Sequence, residues 1–306
     1  MTAAEQQTRG SRPAQVERFD AHGQSCVQDF LAVEEPLEIR LGYGPRAGRQ
    51  SKSIAVTMRT PGHDAELAAG FLLTEGVIRD AADIDSIASD GTKAESNLPE
   101  MRQGDAITFS NRAERNVVTV ELMPDVEVST ANLQRNFYTT SSCGVCGKAS
   151  LLALRTVCPP RRGNTFALDA ETLCALPDKL RAAQGLFDQT GGLHAAGLFD
   201  VGGNLQALRE DVGRHNAVDK LLGAALFEDR VPLRDQVLLL SGRASFELLQ
   251  KALMGGIPMI ASVGAPSSLA VQVAKEFDIT LVGFLRGDHF NLYHGAARVR
   301  ARTQTR

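Results

Sequence analysis

The feature that most constrains the fold is a regular alternation of apolar runs and amphipathic segments in the C-terminal half of the chain. The runs at 237–241, 259–263 and 280–285 are apolar throughout, as strands covered by helices on both faces should be. Between them, SFELLQKALMGG and SLAVQVAKEFD have helical periodicity. Because such alternation implies right-handed crossovers, residues 136–295 are predicted to form a three-layer α/β domain around a parallel or mixed sheet.

The preceding part of the chain is predicted to be a smaller α+β domain over residues 25–135. EEPLEIRLG (34–42) and SIAVTMRT (53–60) have the composition of strands, and the segment 63–78 has helical spacing with acidic residues in its first turn. AITFS and VVTVEL, within 106–122, alternate apolar and polar residues around a polar turn. This last pattern is typical of a hairpin.

The two ends of the chain have polar, charged compositions. Residues 1–24 are predicted to be a disordered tail, and residues 296–306 a basic tail. The N-terminus has no apolar core of a secretory signal, and no apolar stretch reaches the roughly 18 residues needed to span a bilayer. We therefore expect a cytoplasmic protein.

Charge and aromatic content restrict the partners of the 306-residue chain. Its formal net charge is -3 and it contains no tryptophan. A global positive field that would hold nucleic acid or an anionic membrane is therefore absent, and few rings are available to stack bases. A local basic pocket for one phosphorylated ligand remains compatible with this composition.

The densest chemical signal is the motif SSCGVCG, in which Cys143 and Cys146 form a CxxC pair. Four Ser or Thr residues precede Cys143 and can cap a helix that starts there, while glycines follow both cysteines. A thiol near a helix N-terminus and beside Lys148 should have a pKa below the ordinary value of about 8.5. Since the thiolate is the nucleophile, this pattern favours reactive sulfur chemistry.

Three other chemistries use CxxC pairs. Structural zinc needs four ligands, but no second CxxC or HxxxH element follows at finger-like spacing. A thioredoxin-like exchanger places its CxxC after the first strand of a βαβ unit, whereas this pair lies in mid-chain. Zinc deaminases add an HxE element and PCxxC, both missing here, so hydrolytic deamination is excluded.

Polar side chains also follow several predicted strands. The stretch 209–223 crowds charged groups at a helix start, for which a solvated surface is the alternative interpretation. SGR and GAPSS each follow an apolar run and open a helix. Because ligands of open α/β sheets bind at the carboxyl ends of strands, these turns predict a polyphosphate pocket. The predicted binding residues are Arg214, His215, Arg243 and Ser267.

These motifs together resemble the FdhD/NarQ family from about Glu34 to Tyr293. The resemblance is carried by EEPLEIRLG, DAELAAGFLLTEGVI, SSCGVCG, TGGLHAAG, EDVGRHNAVDK, SGRASFELLQKA, GAPSSLAVQVA and TLVGFLR, in this order. It implies a cytidine-deaminase-like α/β fold, a homodimer and a sulfurtransferase needed for formate dehydrogenase activity. Sulfur would pass from a cysteine desulfurase to the bis-guanine-dinucleotide molybdenum cofactor, with no permanent metal in the protein.

The resemblance also implies roles for individual residues. Cys143 matches the persulfide cysteine, and Cys146 is its neighbour in the pair. The cofactor-contacting segment matches Phe284, Leu285, Arg286, Gly287, Asp288 and His289. The sequence departs from the family here, because many members have a basic residue in place of His289 and Asp288 adds a negative charge. A non-catalytic chaperone that only binds the cofactor is the alternative function.

Overall fold

The computed structural model describes residues 10–89, 116–128 and 166–301. The N-terminal part contains two separate sheets. Its strands are β1 (Ser11–Asp20), β2 (Gly23–Ala32), β3 (Glu35–Tyr43), β4 (Gln50–Arg59), β5 (Ile84–Ser89) and β6 (Val117–Leu122). Strands β1 and β2 form an antiparallel ribbon, and the other four form a sheet in the order β4-β3-β6-β5. The strands predicted from EEPLEIRLG, SIAVTMRT and VVTVEL are confirmed, while AITFS lies outside the described residues.

The ribbon differs from the prediction of a disordered tail over residues 1–24 for residues 11–24, which are its first strand, its turn and the start of its second strand, while residues 1–9 lie outside the described residues. Ten successive residue pairs, from Ser11 with Ala32 to Asp20 with Gly23, join β1 to β2. Most side chains of the ribbon are exposed, so neither strand shows the apolar alternation of a half-buried sheet. Backbone pairing orders this segment, and composition alone did not reveal it.

The C-terminal end also differs from the predicted basic tail over 296–306. A 3-10 helix covers Ala296–Arg298, and a short strand (Val299–Arg300) pairs in parallel with the strand Leu168–Asp169. The Arg300 guanidinium lies 3.0 Å from the Asp169 carboxylate. Local pairing therefore holds the chain in place up to residue 300, although the composition is that of a tail.

The C-terminal part is built on a six-stranded sheet. Numbering the strand Leu168–Asp169 as β7, its strands are β8 (His194–Phe199), β9 (Leu205–Asp211), β10 (Val237–Leu240), β11 (Met259–Ser262), β12 (Thr280–Arg286) and β13 (His289–His294). Their order is β13-β12-β11-β10-β8-β9, with β10, β11 and β12 parallel. The predicted strands at 237–241, 259–263 and 280–285 are confirmed, and so is a mixed sheet.

Helices cover both faces of this sheet. The helices of the described residues are α1 (Asp64–Thr74), α2 (Ala170–Ala183), α3 (Gly185–Thr190), α4 (Arg214–Phe227), α5 (Phe246–Met254) and α6 (Ser268–Glu276). In β10, Leu238 and Leu240 pack into the cluster with α4, α5 and α6, while Val237 and Leu239 pack into the cluster with α2. This double burial explains why the strand is apolar throughout.

The two parts of the molecule share one hydrophobic core. Helix α1 lies against α4 so closely that a Cβ atom on Gly70 would stand 1.9 Å from the Asp219 carbonyl oxygen. A Cβ atom on Gly223 would stand 1.9 Å from the Glu66 carbonyl oxygen. A single cluster runs from Leu37 in β3 through these helices to the six-stranded sheet. The predicted boundary between residues 135 and 136 lies outside the described residues.

Candidate functional site

One edge of the six-stranded sheet collects the ends of its strands. The Gly264 N–H donates to the Gly242 carbonyl at 2.9 Å, and the Phe284 N–H donates to the Gly264 carbonyl at 3.0 Å. The start of β8 joins them, since the Ser241 N–H donates to the Ala195 carbonyl at 3.0 Å. We call this edge, formed by His194 and by residues 211–215, 241–245, 263–267 and 284–289, the strand-end edge. The three predicted βα turns therefore meet, as the direction of the strands required.

Three helices begin at the strand-end edge. Gly213 precedes α4 and offers no side chain to its first N–H groups, and the Ser245 hydroxyl makes no capping bond to α5. Ser267 caps α6, because its hydroxyl accepts a hydrogen bond from the Ala270 N–H at 3.1 Å. Free N–H groups and the positive ends of helix dipoles favour anions.

Three arginines add full positive charges at this edge. Arg243 and Arg286 are exposed and Arg214 is partly buried. Within the described parts of the chain, none of the three makes a hydrogen bond or an ion pair. Their guanidinium groups are therefore available for bidentate contacts with phosphate oxygens.

Much of the polar stretch 209–223 holds the fold together instead of facing this edge. Lys220 Nζ lies 2.7 Å from Asp211 Oδ2, and the two side chains are 1% and 0% exposed. Both side chains bind the backbone of Thr60. The Lys220 ammonium donates to the Thr60 carbonyl at 2.8 Å, and the Thr60 N–H donates to the Asp211 carboxylate at 3.1 Å. This pair fixes the end of β4 against α4.

A second buried network is centred on Asp219, the residue that precedes Lys220 in α4. The Lys251 ammonium donates to Asp219 Oδ1 at 2.8 Å and to the Thr74 hydroxyl at 3.0 Å. Glu75, whose carboxylate lies 4.0 Å from Lys251 Nζ, has its pKa raised by burial. The prediction that the whole stretch forms a ligand site is wrong for Asp219 and Lys220, which are internal.

His215 remains at the edge beside Arg214. Its Nε2 lies 4.0 Å from Glu247 Oε2. Burial, followed by the positive charges of Lys251 and Arg214, lowers the pKa of His215 to about 4. The imidazole is therefore neutral near pH 7.

The segment matched to the family's cofactor contact turns from β12 into β13. Phe284 has φ 53°, a left-handed conformation that is strained for a bulky residue and accompanies a shift in strand register. Leu285 is 0% exposed and packs in the core, so only its backbone is available to a ligand. Gly287, with φ 58°, forms the turn that carries Asp288 and His289, whose side chains are exposed.

The two cysteines of the predicted sulfur chemistry, Cys143 and Cys146, lie outside the described residues. The free thiols of the described residues are Cys26, which is exposed, and Cys174, whose pKa is raised by burial and then by the charge of Asp288. In the described ranges no group of three or more His, Cys, Asp or Glu side chains is arranged to hold a metal ion, and no helix is long and apolar enough to cross a membrane.

His194 is a site residue that the sequence marked only weakly, through TGGLHAAG. It pairs with Asp211 across β8 and β9, and its Nδ1 is 3.4 Å from the position of a Cβ atom on Gly242. A depression of about 550 Å³ extends from it along α2, past Ser241 and Arg181. The signal in the sequence that could have identified His194 is the small residues around it, because they let the imidazole ring lie against the backbone.

Comparison with known proteins decides the family. The FdhD/NarQ family model matches residues 32–300, nearly the whole described fold. The chain belongs to the FdhD/NarQ family. It is 52% identical over 272 residues to a sulfur carrier protein FdhD of Mycobacterium tuberculosis, covering 89% of this chain and 92% of that protein. A protein of the same name from Streptomyces coelicolor is 52% identical over 285 residues, with 91% and 92% covered.

Two further similarities are found at lower sequence identity. A sulfur carrier protein FdhD of Sulfurisphaera tokodaii is 40% identical over 276 residues, which cover 90% of this chain and 94% of that protein. A crystal structure of a formate dehydrogenase accessory protein from Desulfotalea psychrophila aligns with TM-score 0.67 and 24% identity, covering 95% of this chain and 99% of that one. This last likeness supports the fold alone.

Proposed function

We propose that this FdhD/NarQ chain is a sulfur carrier that passes persulfide sulfur to the bis-guanine-dinucleotide molybdenum cofactor of a formate dehydrogenase. The observation that carries the proposal is the strand-end edge. Three arginines that make no hydrogen bond or ion pair within the described ranges lie there beside the start of α4, whose first N–H groups have no side-chain cap. The cofactor is the substrate here, and its phosphates are the anions. The names of the curated relatives support the sulfur-carrying part.

The edge and the CGVC pair have separate roles in this proposal. Arg214, Arg243 and Arg286 bind the phosphate chain, and the strained Phe284 starts the segment that contacts the nucleotide. A cysteine desulfurase transfers its persulfide sulfur to the Cys143 thiolate. Cys143 then gives up that outer sulfur at the oxidation level of elemental sulfur and is left as a thiolate. A reduced metal ion of the substrate cofactor would supply the two electrons that convert this sulfur to sulfide, and the metal ion would be oxidised by two electrons.

Cys146 is proposed as a helper and not as the carrier. In a helical turn, residues three apart face the same way, so the two thiols can exchange sulfur. Cys146 is suited to shield or resolve the persulfide on Cys143. Finer features implied by the resemblance complete the proposal: a cytidine-deaminase-like sheet, a homodimer and a cytoplasmic location.

The carrier step is tested on the full chain incubated with a cysteine desulfurase and cysteine. Mass spectrometry should find a one-sulfur adduct on Cys143. The Cys143→Ala variant should fail to activate a formate dehydrogenase but bind guanosine diphosphate like the wild type, and Cys146→Ala should keep part of the activation. Wild-type activation by Cys143→Ala would refute the carrier mechanism and favour a chaperone that only binds the cofactor.

The binding step is tested by calorimetry with guanosine diphosphate. Arg243→Ala and Arg286→Ala should each lose about 1.5–3 kcal/mol of binding free energy, the usual loss for a hydrogen bond to a charged group. Arg40→Ala is the matched control, because Arg40 pairs with Glu38 at 2.9 Å on the four-stranded sheet. Wild-type affinity in both edge variants would remove these arginines from the site.

A further inference from the structure

His194 lies at the strand-end edge, where it begins β8. Its side chain is partly buried, and in the described ranges neither ring nitrogen makes a hydrogen bond or an ion pair. The nearest carboxylate by strand register is that of Asp211. The Asp211 carboxylate has other partners: it accepts hydrogen bonds from the N–H groups of Thr60 and Gly213 and forms an ion pair with Lys220.

Charged groups of both signs surround His194. On α4, Arg214 lowers the pKa of the histidine after the larger effect of burial, while Asp211 at the end of β9 raises it. Asp178 and Arg181 of α2 line the same depression as the His194 ring. Arg181 is paired with Asp188 at 2.6 Å. His215, whose pKa is affected by the charge of His194, is itself affected by Lys251 and Glu247 on α5.

We propose that His194 binds the phosphate chain directly as a fourth cationic group beside the three arginines, taking up a proton from solvent as the chain binds. This inference rests on the proposed binding of a nucleotide at the strand-end edge. Because burial and the Arg214 charge lower the pKa of His194 while the edge is empty, the imidazole then adds little repulsion to the Arg214 guanidinium. It becomes a donor with a positive charge only when the anion arrives.

The size of the effect follows from linkage. An opposite charge within about 4–6 Å raises a histidine pKa by roughly 1–3 units, and each unit corresponds to a tenfold change in affinity. Affinity for a diphosphate should therefore be about tenfold higher at pH 6 than at pH 8. Binding in this range should take up a fraction of one proton.

The test is calorimetry of the full chain with guanosine diphosphate mannose. Its diphosphate is esterified at both ends, so its charge is constant over this pH range and only the protein titrates. Titrations at pH 6.5 in two buffers of different ionisation enthalpy measure the protons taken up. His194→Gln retains a hydrogen-bonding side chain but cannot be charged. His294→Gln is the matched control, because His294 pairs with Leu281 near the opposite end of β12.

We expect proton uptake in the wild type and in His294→Gln, and none in His194→Gln, whose affinity should no longer depend on pH. Binding by the wild type without uptake would overturn this inference and leave the nucleotide site standing. Uptake that persists in His194→Gln but disappears in His289→Gln would also overturn it. Absence of wild-type binding at every pH would overturn the nucleotide site itself, and this inference with it.

Discussion

Replacing Lys220 with methionine should destabilise the protein by about 4 kcal/mol. The substitution keeps the length and apolar stem of the side chain but leaves Asp211 without its cation in a site that is 0% exposed. Breaking a buried ion pair from one side costs about 3–5 kcal/mol. Asp211 retains hydrogen bonds from Thr60 and Gly213, which favours the lower end of this range of destabilisation. The Thr60 carbonyl, however, loses its donor, and this loss adds about 1–3 kcal/mol.

Equilibrium urea unfolding followed by circular dichroism measures this loss. The double variant Lys220→Met with Asp211→Asn should be more stable than the sum of the two single losses predicts, by about 1–3 kcal/mol, because neither charge is then left alone. Arg40→Met is the control: its ion pair with Glu38 is 44% exposed on the arginine side, so its loss should stay below about 1 kcal/mol. A loss from Lys220→Met as small as that of the control would refute the structural role of the pair.

Two further predictions concern packing and acid stability. Gly223→Ala should cost about 1–3 kcal/mol in the same unfolding assay, since its Cβ atom would stand 1.9 Å from the Glu66 carbonyl oxygen. Gly48→Ala is the control and should be nearly neutral, because the nearest atom to a Cβ on Gly48 would be 3.9 Å away. Equal losses of stability in the two variants would contradict the close contact of α1 and α4. The pKa of His215 is lowered from 6.5 to about 4, so the unfolded chain binds the extra proton and stability should fall as the pH drops through this window. His215→Gln should reduce the fall measured between pH 7.5 and 5, and an unchanged fall would contradict it.

The parts of the fold that could be predicted from the sequence are those where burial fixes composition. Val237–Leu240 is buried on both faces, so every residue of the strand had to be apolar, and the parallel order followed from the helices between strands. The meeting of the three turns at one edge could be predicted for the same reason. The ribbon β1–β2 could not, because almost nothing in it is buried and its order comes from backbone pairing.

The candidate site shows the same limit in its polar residues. Within 209–223, the sequence indicates a concentration of charge but not its partners. Asp211 binds Thr60, 151 positions earlier in the chain, and Asp219 binds Lys251, 32 positions later. Only the tertiary fold separates these internal pairs from Arg214 and His215, which remain at the strand-end edge. Polar crowding at a helix start is therefore compatible with a binding site and with an internal network.

The direct backbone contact of α1 with α4 makes the molecule indivisible. A fragment that began at residue 166 would expose the groove along Gly223 in which the backbone of Glu66 lies. A fragment that ended at residue 128 would leave Leu67 and Leu72 of α1 without the helix that covers them. Recombination with other family members should therefore exchange α1 and α4 together, because a larger residue on either helix needs a matching change on the other.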